Sequence, residues 1–224
     1  SNYNVPANTI VELPVQISGI TSIANLEAVT NGYDIEDDDS LRGRYFERMQ
    51  TPATSGNKYQ YRNWAKEVPG VGDSKPFPLW NGPGTVKVVI INSNKRAADA
   101  ELVQKVKDYI DPQPEGHGEG QAPIGATLTV VSAVEKAIDI TAKVVLASGY
   151  TIQQVQDTFI ANMQKYFSDQ AFNSTYISYA KVGGILLSTD GIVDYNSLTL
   201  NGGTVNVALA DEEIPVAGTI SLGV

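Results

Sequence analysis

The 224-residue sequence contains no cysteine and only one histidine, His117. Without cysteine the chain has no disulfide bonds, thiol nucleophiles, cysteine-ligated zinc or iron–sulfur clusters. One histidine still allows a Ser-His-Asp triad, but it excludes a metal site built from several histidines. The sequence therefore lacks many of the side chains on which catalysis and metal binding usually depend.

Long apolar runs are also absent. The longest clear aliphatic run covers residues 88–91, whereas a membrane-spanning helix needs about 20 apolar residues. The composition, with 42% apolar and 18% charged residues, is that of an ordinary globular protein. We therefore expect a folded chain with a sizeable core and no membrane insertion.

Positive charge is scarce, and the formal net charge is −9. Residues 1–112 contain 14 acidic and 12 basic residues, whereas residues 113–224 contain 11 acidic and 4 basic residues. Nucleic-acid binding needs lysines and arginines clustered against the phosphates, and acidity also disfavours anionic membrane surfaces. We therefore expect no nucleic-acid partner.

The apolar periodicity predicts an α+β fold with mixed and antiparallel sheets and packed helices. Residues 9–18 alternate apolar and polar, which indicates a strand, and Pro14 places that strand at an edge or bulge. Helices are predicted at residues 34–50, 57–68, 97–111, 151–167 and 178–188. Further strands are predicted at residues 75–80, 85–92, 126–134, 135–148, 194–200, 204–209 and 214–222, with a hairpin turn at residues 201–203.

This order of elements predicts three parts. Residues 1–30 form a β arm that ends a preceding domain, residues 31–134 form a middle α/β domain, and residues 135–224 form a C-terminal α/β domain. The two α/β units have similar element content, but their sequences show no residue-level repeat.

The densest charge is an acidic cluster at residues 34–39. A calcium loop that starts at Asp34 needs glycine at its sixth position and a ligand at its twelfth, where the sequence has Asp39 and Tyr45. We interpret the cluster as a helix N-terminus, which acidic side chains stabilise. Its spacing leaves open the carboxylate pair of a glycoside hydrolase.

Two other features suggest chemistry only weakly. His117 lies in a glycine-rich loop with acidic neighbours, which suits either a general base or an exposed loop, and no G-x-S-x-G motif supplies a nucleophile. The pair Gly82 and Gly84 lacks the third glycine of a dinucleotide fingerprint and precedes a strand instead of following one. We expect no cofactor, no metal and no small-molecule substrate.

Aromatic residues concentrate between positions 59 and 80. They suit a core or a protein interface better than stacking on bases or sugars. The set comprises Tyr59, Tyr61, Trp64, Phe77 and Trp80.

The order of several short motifs along the chain is more informative about protein family than any single motif. The longest are Gly32-Tyr33-Asp34-Ile35-Glu36, Asp38-Asp39-Ser40-Leu41-Arg42-Gly43-Arg44, Pro69-Gly70-Val71-Gly72, Ala122-Pro123-Ile124-Gly125-Ala126 and Asp190-Gly191-Ile192-Val193-Asp194-Tyr195. In this order the sequence resembles the baseplate J-like family of contractile phage tails, especially members from defective prophages of Gram-positive bacteria. Gly43 departs from the pattern, because a helix former is expected there.

The resemblance implies a structural, non-enzymatic component of the baseplate wedge that links hub, sheath and fibre attachment through protein contacts. It implies assembly in the bacterial cytoplasm, a final place in the baseplate of a virion or tail-like particle, and a further N-terminal region before this chain. The implied partners are other wedge and hub proteins, and the uneven charge of the two halves adds the hypothesis of a second copy of the chain. The family-signature and assembly candidates are Asp38, Leu41, Arg42, Arg44, Gly56, Tyr61, Trp64, Ala65, Gly70, Trp80, Pro123, Gly125, Gly191 and Tyr195.

Alternatives to this interpretation concern the machine and the activity. The chain could be the equivalent part of a bacteriocin-like or secretion-type contractile injection machine, or a tail-associated glycan-binding or hydrolytic module. Two contact hypotheses also follow. Arg42, Arg44 and Arg48 pair either with acidic residues of a partner or with Asp37 to Asp39 of the same helix, and residues 1–30 add a strand to a neighbour's sheet.

Overall fold

The computed structural model describes residues 4–12, 14–15, 17–20, 22–29, 37–50, 54 and 56–224, the side chains of residues 40, 47 and 48 excepted. It separates into two compact units, Ser1–Thr51 and Pro52–Val224. Helices together with parallel and antiparallel strands confirm the α+β fold class. The three-part division at residues 30 and 134 stays a prediction.

In the first unit the chain folds back around Asn25. The Asn25 carboxamide oxygen accepts hydrogen bonds from the N–H groups of Thr9 and Ile10, at 3.1 and 2.9 Å. Its amino group donates to the carbonyls of Pro6 and Glu27, at 2.9 and 2.8 Å. One amide therefore closes the loop, and an antiparallel bridge between residues 5 and 29 ties its ends together.

The predicted strand at residues 9–18 is wrong over its described part, which consists of turns, bends and irregular backbone. Val11, Val15 and Ile17 are exposed, and Leu13 lies outside the described residues. An alternating pattern specifies a strand only when one face is buried against a neighbour, and the described part of this unit supplies no neighbouring strand.

The first helix, α1, covers Asp38–Gln50. Asp38 and Asp39 occupy its first turn, as expected for acidic residues at the positive end of a helix dipole. Residues 34–36 of the predicted helix lie outside the described residues.

Five elements of the second unit form a helix-covered middle sheet: α2 (Lys58–Glu67), β1 (Val71–Pro78), β2 (Thr85–Asn92), α3 (Ala100–Ile110) and β3 (Thr127–Ser132). β1 pairs antiparallel with β2, and α3 carries the chain back so that β3 pairs parallel with β2. Asn57 caps α2 and Asp99 caps α3 through side-chain oxygens that accept backbone N–H groups. These local signals explain why both helices form where the sequence predicted them.

The periodicity of residues 97–111 predicts Leu102, Val106, Tyr109 and Ile110 on the buried face of α3, and this prediction is wrong for Tyr109. Leu102, Val106 and Ile110 are buried against the middle sheet, whereas Tyr109 is partly exposed. The Tyr109 hydroxyl donates to a Glu67 carboxylate oxygen at 2.6 Å, so a surface hydrogen bond replaces the expected burial.

The remaining elements form a C-terminal sheet with two covering helices: β4 (Val134–Leu146), α4 (Ile152–Gln170), β5 (Tyr176–Ile177), α5 (Tyr179–Leu187), β6 (Ile192–Leu200), β7 (Val207–Ala208) and β8 (Glu213–Gly223). β4 is central, antiparallel to β6 and parallel to β8. Ile138, Ile140, Ala142 and Val144 alternate along β4 into a core completed by α4 and α5. A capping box between Thr151 and Gln154 begins α4.

The predicted hairpin around residues 201–203 is wrong beyond its turn. Leu200 and Gly203 form a tight bridge, but β7 pairs with β5 instead of returning along β6. Asn201 is held by β4, because its N–H donates to the Asp139 carbonyl at 2.9 Å and its side-chain oxygen accepts the Asp139 N–H at 2.7 Å. The turn thus anchors to β4, and the following residues lead away from β6.

One extended segment passes from the middle sheet into the C-terminal sheet. Only Ala133 separates β3 from β4, and it is buried with Val89, Ile91, Ala171 and Ile214 in a small apolar core. The junction between the sheets is therefore packed rather than a free linker.

Candidate interaction surfaces

Several residues singled out by the sequence lie inside the protein. Tyr61, Trp64 and Ala65 are buried on the inner face of α2, and the Tyr61 and Trp64 rings meet edge to face with centroids 5.2 Å apart. Tyr195 is partly buried against the C-terminal core, where Gly183 leaves room for its hydroxyl. These residues contribute to the packing of the fold, and their role in assembly stays a prediction.

The four signature glycines share a backbone requirement. Gly56, Gly70, Gly125 and Gly191 all have positive φ, between +73° and +102°, a region that costs other L-residues free energy. At Gly191 an added Cβ would also overlap the Tyr150 ring. Their signal is therefore structural, because they set turns at the ends of helices and strands.

Helix α1 presents an exposed apolar stripe. The exposed fraction is 51–64% for each of Leu41, Tyr45, Phe46 and Met49. Their spacing is nevertheless that of a helix face that packs against another structural element. Asp38, Arg42 and Arg44 on the same helix are exposed as well. Such an exposed apolar stripe is typical of a contact surface.

Arg42 forms an ion pair within the chain, which was the alternative to a contact with a partner protein. Its guanidinium lies 3.3 Å from the Asp39 carboxylate, and both side chains are largely exposed. An exposed pair of this kind contributes roughly 0–1 kcal/mol, so it leaves Arg42 able to exchange partners. The side chain of Arg48 lies outside the described residues.

A second exposed apolar region lies where β1 ends and β2 and β3 begin. We call it the loop end; it comprises the turn at residues 79–84 and the loop at residues 122–126. Leu79 is 67%, Trp80 44% and Ile124 83% exposed, and Pro123 is exposed beside them in sequence. The two loops are linked, because Thr127 N–H donates to the Gly84 carbonyl at 2.8 Å.

A lysine ammonium also lies over the Trp80 ring. The Lys87 ammonium lies 4.7 Å from the Trp80 ring centroid and pairs with the Glu212 carboxylate. One face of the indole is therefore occupied within the chain, while the rest of the side chain stays accessible to a partner.

Ion pairs connect the two sheets of the second unit. Lys75 lies 3.0 Å from Asp211, Lys87 pairs with Glu212, and the Arg96 guanidinium donates two hydrogen bonds of 2.7 Å to Glu135. The Arg96 hydrogen bonds hold the pKa of Glu135 below its ordinary value despite partial burial. These pairs cross from the middle sheet to the C-terminal sheet at the surface of the junction.

Asp111 is a buried carboxylate that the sequence did not reveal. Burial by itself raises its pKa, but hydrogen bonds from the N–H groups of Gly116 and Leu128 and from Lys107 lower the pKa below its ordinary value. Asp111 thereby holds the loop that contains His117 against the start of β3. Its position just after α3 was the only sequence signal.

The remaining features suggested for chemistry are not brought together. His117 is exposed in its loop, and Asp38 and Asp39 lie in the first turn of α1. Among the residues that the structure describes, no group of three or more His, Asp or Glu side chains is placed to hold a metal ion. Within that same part of the chain, no helix combines the length and apolar character needed to cross a membrane.

Comparison with protein families gives two consecutive matches. The Baseplate J-like central domain matches residues 53–132, and the Baseplate J-like protein C-terminal domain matches residues 138–223.

Individual relatives come from phages and phage-like elements. Protein XkdT of the phage-like element PBSX from Bacillus subtilis (strain 168) is 42% identical over 221 residues, covering 99% of this chain and 63% of that protein. Baseplate protein gp47 of Escherichia phage Mu is 35% identical over 113 residues, covering 48% of this chain and 31% of that protein. The chain thus spans less than two thirds of the PBSX relative's length.

A solved structure shares the fold. A chain in the baseplate of the anti-feeding prophage superposes with a TM-score of 0.53 at 15% identity, and the match covers 96% of this chain and 49% of that chain.

Proposed function

Because this chain belongs to the baseplate J-like family, we propose that it is a structural part of the baseplate wedge of a contractile tail or prophage-derived tail-like particle. In this role it links hub, sheath and fibre attachment through protein contacts and catalyses no reaction. The observation that carries the proposal is the succession of central and C-terminal family domains along residues 53–223. Assembly in the cytoplasm belongs to the same proposal.

The packing of the second unit suits a part that must keep its shape under load. A single buried residue, Ala133, links β3 to β4, and apolar packing surrounds it. Close-packed interiors are stiff and transmit strain. A contact made at the loop end is therefore transmitted through the middle sheet to the C-terminal sheet.

The exposed apolar surfaces supply contact sites for the proposed partners, which are other wedge and hub proteins and a second copy of the chain. On α1 we propose that the apolar stripe packs against a neighbouring subunit while Arg42 and Arg44 pair with its acidic residues. A double substitution, Arg42→Glu with Arg44→Glu, should reduce incorporation into particles. Normal assembly of that variant, measured beside a Lys143→Glu, Lys165→Glu control, contradicts the arginine contact.

The N-terminal segment has a proposed role of its own. Residues 9–18 keep the alternation of a strand and expose Val11, Val15 and Ile17, so a neighbour's sheet edge could complete the pattern. Replacing Val11 and Val15 by proline removes two backbone donors and should lower incorporation. Replacing the same residues by threonine, which keeps both donors and the strand propensity, should lower it less.

The central experiment tests the wedge itself. Tail particles are pelleted from an induced lysate of the source cell, and the gradient fractions are blotted for this chain. Co-sedimentation with sheath and tube at fixed stoichiometry supports a structural tail part. Recovery of the chain only in the soluble fraction, with particles present, overturns the proposal.

A further inference from the structure

Lys95 has an unusual backbone conformation in the tight turn that follows β2. The turn is closed by the Lys95 N–H on the Asn92 carbonyl and the Asn92 N–H on the Arg96 carbonyl, both at 2.9 Å. Lys95 has a φ of +58°, in the left-handed region that glycine and asparagine occupy readily and lysine does not. Because glycine would relieve this conformation, the presence of lysine points to a use for its side chain.

The Lys95 ammonium is incompletely satisfied. It donates one hydrogen bond, to the Gly72 carbonyl at 2.8 Å, and within the described residues it forms no ion pair. The carboxylates of Asp73 and Asp169 act on Lys95 without pairing with it, and Asp73 is already held by the Arg62 guanidinium through two hydrogen bonds of 3.0 Å. Burial lowers the pKa of Lys95, as expected for a partly desolvated ammonium without a bound carboxylate.

Lys95 lines a cleft of about 380 Å³ between the two sheets. The walls are the turn at residues 94–96, the face of α4 at residues 164–168 and the stretch of β8 at residues 215–217. None of the described residues that line the cleft is acidic. Arg96 contributes hydrogen-bond donors although its charge is paired with Glu135, because its two hydrogen bonds to Glu135 use two of the five guanidinium N–H groups.

The lining combines cations with apolar and main-chain groups. Phe167 and Val216 form part of the wall, and they suit the methylene groups of a glutamate better than a free inorganic anion. β8 is an edge strand of its sheet, and edge strands present main-chain groups to an extended peptide. The chemistry therefore matches a carboxylate side chain carried on a peptide.

We propose that this cleft binds a glutamate-rich extended segment of a partner protein, with a carboxylate seated between Lys95 and Arg96. That the partner is a neighbouring baseplate subunit rests on the proposed function. The inference that the ligand is a peptide bearing carboxylates does not rest on that function, because it follows from the lining of the cleft alone.

The test uses the 224-residue chain labelled with ¹⁵N and a blocked hexaglutamate peptide. The peptide should shift the amide signals of residues 94–96, Val216 and Ala217, and blocked hexaglutamine should not. Lys95→Gly should weaken binding at least tenfold while keeping or raising the thermal midpoint, because it relieves the left-handed backbone. Lys95→Gln should weaken binding similarly, and Lys143→Gln, at an exposed position on β4, should leave it unchanged.

The possible outcomes distinguish a loss of peptide binding from a loss of folding. They also distinguish failure of the cleft proposal from failure of the proposed wedge function. Unchanged amide signals with hexaglutamate, or full binding by a folded Lys95→Gly chain, overturns the cleft proposal. Inorganic phosphate that shifts the same signals at equal concentration also overturns it, because it shows a simple anion site. Absence of the chain from purified particles would overturn the wedge instead and leave the peptide result standing.

Discussion

At the residue scale, Tyr61 shows that a signature residue can carry an energetic cost. Its hydroxyl is buried and, within the described part of the chain, has no hydrogen-bond partner. Burial and the nearby Asp111 charge raise its pKa. A buried polar group without a partner costs about 1–3 kcal/mol, so the aromatic ring rather than the hydroxyl explains why tyrosine fits there.

Tyr61→Phe should therefore leave the free energy of unfolding unchanged or raise it by about 1 kcal/mol. Urea denaturation of the 224-residue chain measures the change. Trp64→Ala, which removes the ring that Tyr61 contacts, should instead cost about 3–5 kcal/mol. A clear loss of stability in Tyr61→Phe would show that the hydroxyl has a hydrogen-bond partner in solution.

A second residue-scale prediction separates backbone strain from steric overlap. Gly191 and Gly202 have φ values of +89° and +77°, but only Gly191 faces a ring, that of Tyr150, whereas the space beside Gly202 is open. Gly202→Ala should cost about 1–2 kcal/mol for the left-handed backbone alone. Gly191→Ala should cost distinctly more in the same denaturation experiment, and equal costs would mean that Tyr150 moves aside freely.

At the scale of helices and strands, elements specified by neighbouring residues were predicted correctly, whereas strand pairing between distant residues was not. The caps Asn57, Asp99 and Thr151 and the apolar stripes beside them lie within a few residues, so the sequence alone located α2, α3 and α4. The pairing of β7 with β5 and the Asn201 contact with β4 join residues that are far apart in sequence, so no local pattern encodes them. The candidate surfaces were predicted as motifs, but no feature of the sequence distinguished exposed Trp80 from buried Trp64.

The ion pair that links β4 to the turn after β2 should make stability depend on pH. The pKa of Glu135 is lowered in the folded chain, so its stabilising contribution is complete above its unfolded pKa of about 4.3 and disappears as the pH falls through the folded value. The melting temperature of Glu135→Gln should lie below that of the wild type at pH 6, and the difference should shrink as the pH falls below about 4.3. Glu119→Gln, at an exposed loop position that leaves the Arg96 pair intact, should melt at the wild-type temperature at pH 6.

At the scale of the whole molecule, ion pairs and apolar packing both contribute to the free energy that holds the two sheets together, and their sizes differ. The crossing ion pairs involve partly exposed side chains, with Asp211 75% and Glu212 36% exposed, and pairs of this kind contribute roughly 0–1 kcal/mol each. Truncating a buried isoleucine to alanine costs about 2–5 kcal/mol. The small apolar core around Ala133 should therefore dominate over the charges that surround it.

Two probes can test this coupling, because both tryptophans, Trp64 and Trp80, belong to the middle part of the chain. Tryptophan fluorescence follows the middle sheet, whereas far-UV circular dichroism follows all elements, and in the wild type their urea transitions should coincide. Ile214→Ala in the junction should separate them, while Leu186→Ala in the C-terminal core should shift both together. Asp211→Asn with Glu212→Gln should change the free energy of unfolding from either probe by no more than about 1 kcal/mol per ion pair. Coincident transitions in Ile214→Ala would show that the continuous β3–β4 segment is sufficient to couple the sheets without the apolar core.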